Sequence, residues 1–393
     1  MRFFITISIF IITAPLSAQI VGLKETYNAG ESITFYSTSK TLGLSAMITH
    51  SYGTNWIEGV LEENRITFKI PDGITKKKGT INITLIRGNT VYDKAMTVVT
   101  ANKDSDRSIE SYCGPKHLIV GISDFTMITT TVLDGYDNPY PTETPVEFKS
   151  NIESEISSQL NKMKGLLAFE RFYAPSVKGY GAITSTYGET RSKEFRIDFY
   201  ANHPEDFTIS YNREHSYADG NQIVSFKTSK IKDQFSNTIE NGTSVSFNIT
   251  NDEGKRYYGT SETINGIANF QLPAPYKKME WKVEASILGF AKSNQLEIEF
   301  LSSIKSLPFT TTEKTLIIGP LEGYMGQFTR EGTPVSIILE NKSNFYEFNL
   351  STQSGYARLD YGKNLISDGT YNVIMKVADL EESTKITVED DKK

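Results

Sequence analysis

Apolar and polar residues alternate with a period of two through most of the chain, in short runs broken by Gly, Asn, Asp and Pro. Val245, Phe247 and Ile249 are typical: their side chains share one face of a strand, and the polar residues between them face the other way. In the first hundred residues the segments 32–37, 44–50, 56–61, 66–70, 81–86 and 91–99 read the same way. One stretch departs from this period. From Ile152 onward, apolar residues recur at Ile156, Leu160, Met163 and Leu167, a helical spacing, with Ser150-Asn151-Ile152-Glu153 in the form of a capping box and Gly165 as a stop. The expectation is a short amphipathic helix. Its stripe Ile156, Leu160, Met163 and Leu167 either covers the sandwich that carries it or forms a partner-binding face.

The strands come in a pattern that repeats. Asp233-Gln234-Phe235-Ser236-Asn237, then Asn241-Gly242-Thr243-Ser244-Val245-Ser246-Phe247, is matched upstream by Asp134-Gly135-Tyr136-Asp137-Asn138 with Thr144-Pro145-Val146-Glu147-Phe148. Downstream it is matched by Gly323-Tyr324-Met325-Gly326-Gln327 with Gly332-Thr333-Pro334-Val335-Ser336-Ile337. The copies lie about 90 to 100 residues apart, the length of a small β-sandwich. A second echo, a Gly ahead of a short strand, is read at Gly266-Ile267-Ala268, Gly181-Ala182-Ile183 and Gly355-Tyr356-Ala357. A third is read in the strands 281–285, 207–210 and 369–375. Residues 20–102 lack the first echo and read as a divergent fourth sandwich.

The three later copies resemble the bacterial immunoglobulin-like domains of invasin and intimin adhesin stalks, over about residues 120–380. Asp137-Asn138-Pro139-Tyr140-Pro141, Gly242-Thr243-Ser244-Val245-Ser246-Phe247 and Gly266-Ile267-Ala268 carry the likeness, and the last copy departs from it at Met325-Gly326-Gln327. The opening Tyr27-Asn28-Ala29-Gly30-Glu31-Ser32-Ile33 is similar to macroglobulin-like modules. The resemblance implies an all-β rod of about four tandem immunoglobulin-like sandwiches serving as a structural or adhesive spacer, and the spacing at 152–167 adds one short helix inserted in the second. The expected division is a signal peptide at 1–18, modules at 19–102, 103–212, 213–304 and 305–389, and a charged tail at 390–393.

The chain's beginning adds a compartment. Arg2, the apolar run 3–13 and the small residues of Ala14-Pro15-Leu16-Ser17-Ala18 read as a secretory signal peptide, with cleavage expected after Ala18, the run being shorter than the roughly 18 apolar residues a spanning helix needs. The expected protein is therefore exported, to the periplasm or the cell surface, and does not span the membrane after cleavage. The strands 370–388 are faintly similar to type IX secretion sorting domains, an alternative route to the surface. With a net charge of -6 and scattered basic residues, nucleic acid is not expected as a partner; another envelope or surface protein is, with a surface glycan as the alternative.

Candidate chemistry is sparse. The chain has one cysteine, Cys113, so no internal disulfide is available, and its four histidines, His50, His117, His203 and His215, stand apart. No nucleophile elbow, phosphate loop or zinc motif occurs, and the S-x-x-K pattern at Ser302 has no companion motif. Asp134 and Asp137 offer oxygens of the kind calcium takes, but both are favoured turn formers. The expectation is no enzyme, no metal and no cofactor. Tyr52, Trp56, Tyr257, Tyr258, Tyr324 and Tyr356 are the candidate aromatic platforms for a glycan.

Overall fold

The computed structural model describes residues 19–39, 42–63, 65–121, 123–361 and 366–389; the expected signal peptide and charged tail lie outside the described residues. The fold is nearly all β, in paired sheets, and the described apolar side chains collect into four separate cores. The chain divides after Phe199 into two compact units.

In the first unit, one sandwich sets the sheet of Ile20–Val21, Thr34–Ser37, Arg65–Lys69 and Val60–Glu62 against a five-stranded sheet in which Thr26–Asn28 runs parallel to Thr90–Thr100. Phe35 and Phe68 meet across the first sheet with ring centroids 5.0 Å apart. The second sandwich faces Arg107–Gly114, Phe125–Asp134 and Ala168–Tyr173 against a sheet ordered His117–Ile119, Phe195–Tyr200, Gly179–Tyr187, Pro145–Ile152 and Glu155–Lys162. The second unit repeats this plan. Ile209–Asn212, Ile223–Thr228 and Asn269–Pro273 lie over a sheet built on Ser244–Asn251 and Met279–Ile287. Phe309–Thr311, Thr315–Ile318 and Ala357–Asp360 lie over one built on Pro334–Glu340 and Gly369–Val377. In each of these three copies a hairpin of the larger sheet is followed by the third strand of the three-stranded sheet before the chain returns to the larger one, a crossing of the kind found in immunoglobulin-like sandwiches.

The shared sequence pattern has a shared cause. Thr144, Thr243 and Thr333 each donate their hydroxyl to the carbonyl three residues back, at 2.7, 2.8 and 2.6 Å. Their carbonyls accept the N–H of Met163, Thr263 and Thr352 at 2.8, 3.0 and 3.0 Å. A tight bend follows each of these: Lys164 bridges Leu167, Ile264 bridges Ile267, and Gln353 bridges Tyr356. Glycine at the second bend is required. Gly266 has φ +76°, and a Cβ there would lie 2.4 Å from Cγ2 of Thr238.

Two expectations are corrected. Residues 152–167 form no helix; among the described residues the one helix is the single turn Asp72–Thr75. Instead Pro145–Ile152 and Glu155–Lys162 make a hairpin, turned at Glu153 and Ser154, both with positive φ, 53° and 65°. Spacing of four keeps Ile156 and Leu160 on one side of a helix but also on one face of a strand, since four is even. The bend Lys164–Leu167, with Gly165 at φ 68°, is the counterpart of the bends Ile264–Ile267 and Gln353–Tyr356, so the second echo belongs there and not at Gly181. The second correction concerns the boundary at 212: Ile209–Asn212 pairs with Ile223–Thr228, and Phe207 and Ile209 lie in the third core, so the second module closes at Phe199.

Candidate functional site

The second module carries an unusual outer face. Along Phe125–Asp134, Thr126, Ile128 and Thr130 point inward and are buried, so Phe125, Met127 and Thr129 point outward. Register then places Tyr112 beside Thr129 and Thr129 beside Phe169; Met127 lies beside Arg171, and Phe125 beside Tyr173. Tyr112 is 72% exposed, Phe169 44% and Tyr173 54%. The Phe125 and Tyr173 rings lie 5.7 Å apart, and the Arg171 guanidinium sits 5.0 Å over Phe125. The outer face of this sheet thus carries four aromatic rings, a methionine and an arginine.

The fold does not demand this. On the same face of the third module, Ser210, Lys227 and Asn269 form one row and Asn212, Ser225 and Gln271 the next, with Ile223 beside Pro273 at the end and no exposed aromatic ring in these rows. That polar surface is what an uncommitted sheet face carries, and the aromatic one is a departure from it.

The four residues of the expected stripe are separated by the hairpin. Met163 is fully buried in the second core, where no partner reaches it. Leu167 continues the outward row of Phe169, Arg171 and Tyr173. Ile156 and Leu160, 77% and 70% exposed, lie on the facing sheet, with Leu160 opposite Glu147 and Ile156 opposite Asn151. Tyr112, Phe125 and Phe169 were missed by sequence reading because an aromatic in a strand is as often core as surface, and only the facing of the strand decides. The glycan candidates scatter as well. Tyr52 and Trp56 are exposed on the first module, Tyr257 packs on the third core, Tyr258 is exposed on an edge strand, and Tyr324 and Tyr356 belong to the loops of the fourth module.

Titratable groups take structural parts. Burial pushes the Cys113 thiol up, against a hydrogen bond to Thr126 and the charge of Lys116, so the sulfur stays protonated at neutral pH. Asp134 is buried, and the N–H donors of Asn102, Tyr136 and Asn138, at 2.8, 2.9 and 2.9 Å, converge on its two oxygens along with the Asn138 amide. Burial alone favours its neutral form, but these donors outweigh it and hold the carboxyl below its usual range. Asp233 repeats the arrangement with Asn202, Phe235 and Asn237. With their oxygens occupied by donors, these aspartates clasp the chain entering each module. Among the described residues no three metal-ligating side chains cluster, and no helix is long and apolar enough to cross a membrane.

No family model and no curated protein matches the chain. Solved structures do. FdeC, a broadly conserved Escherichia coli adhesin, is 12% identical over 73% of this chain and 96% of its own, with a TM-score of 0.49. Invasin, a bacterial integrin-binding protein, is 12% identical over 94% of this chain and 78% of its own, with a TM-score of 0.48. Escherichia coli α2-macroglobulin aligns with 92% of this chain and 28% of its own at 9% identity and a TM-score of 0.24.

Proposed function

We propose that this chain is an exported, non-catalytic spacer of tandem immunoglobulin-like modules that holds another envelope or surface protein on the outer face of its second module. The observation that carries the reading is the row of Tyr112, Phe125, Phe169 and Tyr173 around Met127 and Arg171, set where the third module is polar. Tyr, Phe, Met and Arg are the residues that concentrate at the centres of protein interfaces, and a sheet face loses little entropy on binding. Adhesive and integrin-binding functions belong to FdeC and invasin by their descriptions; for this chain, adhesion to a protein is the corresponding proposal. Export is supported by the composition of residues 1–18.

A photo-crosslinking amino acid placed at Tyr112 in the producing cell tests it. The expected result is one discrete protein adduct that disappears when Phe169→Ser is added, while the same crosslinker at Gln271, on the polar face of the third module, yields none. Equal adducts from both faces, or an adduct indifferent to Phe169→Ser, would overturn the reading.

A further inference from the structure

The second unit holds a cleft of about 460 Å³ where its two sandwiches meet, within the range of about 300–1,000 Å³ that small-molecule sites occupy. One wall comes from the third module, through Asp219, Asn221 and Tyr276. The other comes from a loop of the fourth, through Tyr324, Phe328 and Arg330.

The cleft is preformed. Arg330 donates Nη1–H to the carbonyl of Gly220 at 2.8 Å and ties the two walls together. Tyr324 stacks on Tyr217 with centroids 4.2 Å apart and planes at 14°, and His215 flanks it at 4.6 Å. Phe328 is steadied from one side by Tyr356 at 6.3 Å, and Gly355 leaves room for it, since a Cβ there would lie 3.0 Å from the ring. Even so, Phe328 and Tyr276 remain more than half exposed. Next in the chain to Asn221, Gln222, almost fully buried, donates to the carbonyls of His215 and Tyr217 at 3.0 and 2.9 Å and accepts the N–H of Glu214 and His215, so the segment that carries Asp219 and Asn221 is fixed.

We infer that this cleft binds a neutral oligosaccharide. The two exposed rings, Phe328 and Tyr276, offer flat apolar faces, which suit the C–H face of a sugar ring. The carboxylate of Asp219, whose Oδ1 accepts the N–H of Asn221 and of Gln222 at 3.0 and 3.1 Å and whose Oδ2 lies 3.4 Å from Nε2 of His215, keeps lone pairs for a further donor and stands beside them with the guanidinium of Arg330 and the side-chain amide of Asn221. Carboxylate and guanidinium together disfavour a ligand carrying a net charge of either sign. A ring of hydroxyls uses both, because each hydroxyl donates and accepts. A purely apolar ligand would leave the polar groups of the wall without partners. Tyr324 and Tyr356, singled out in the sequence as platform candidates, are at the site: Tyr324 lines it, and Tyr356 supports Phe328.

The test is saturation-transfer NMR on the full chain, with neutral tetrasaccharides of gluco, galacto, manno and N-acetylglucosamine configuration as probes. At least one is expected to receive saturation. Phe328→Ala and Tyr276→Ala should each weaken its binding tenfold or more at an unchanged melting temperature, and Tyr180→Ala, at an exposed tyrosine of the second module, should leave it unchanged. Both rings being exposed, the substitutions are not expected to disturb folding, and a melt of each variant checks this. Transfer to none of the four probes at millimolar concentration, or binding that survives both substitutions, would overturn the inference. Neither outcome bears on the aromatic face of the second module, which lies in the other unit.

Discussion

Asp134 and Asp233 occupy equivalent places in two modules, and each gathers the N–H groups of its own turn together with one from the chain entering the module. Charge-assisted bonds to buried backbone donors are strong, and removing the acceptor strands several donors at once. Asp134→Ala is therefore expected to cost about 3 kcal/mol at pH 7, read as a lowered denaturation midpoint for the first unit. The sign of its pH dependence follows from the depressed carboxyl. The contribution is complete above the unfolded value of about 3.9 and is lost as pH falls through the lower folded one. The gap between wild type and variant should thus be full at pH 7 and close progressively below about pH 4; a gap that widens on acidification would contradict the clasp. Sequence reading placed Asp134 in a turn, but its convergence with Asn102 joins residues far apart in the chain and came only with the fold. The fourth module, with Gly323 at this position, relies on Gln327, whose Oε1 accepts the Met325 N–H at 3.0 Å.

At the scale of elements, the hairpin 145–162 and the bend after it separate two leucine-like positions that one helix would have united. Met163→Ala removes a fully buried side chain from the second core and is expected to cost about 2–5 kcal/mol. Leu160→Ala, on an exposed edge strand, should stay within about 0.5 kcal/mol. Thermal melts of the two variants check the pair; comparable losses would restore a common apolar stripe. Strand existence was legible elsewhere because alternation over an eight-residue run such as Ser244–Asn251 has one reading. It failed here because Ile156, Leu160 and the serines between them satisfy both periods, and the turn residues Glu153 and Ser154 are not the Asn-Gly type that announces a hairpin.

For the whole molecule, four cores rather than one follow from length, and the division after Phe199 gives each unit its own pair of sandwiches. Residues 19–199 and 200–389, produced separately, are each expected to unfold cooperatively with the dispersed amide spectrum of the intact chain; loss of structure in either fragment would show that the units depend on one another. What the sequence by itself determined was the all-β class, the repetition of sandwiches and the turns between strands, because period, turn chemistry and repeat length are local properties written residue by residue. Only the tertiary structure decided which face of each strand is core. That choice put Met163 inside and Tyr112, Phe169 and Tyr173 outside, and brought Tyr276 to the same cleft as Phe328. The physical reason is that an aromatic side chain gains by burial against a core or against a partner alike, and the difference between them lies in residues distant along the chain.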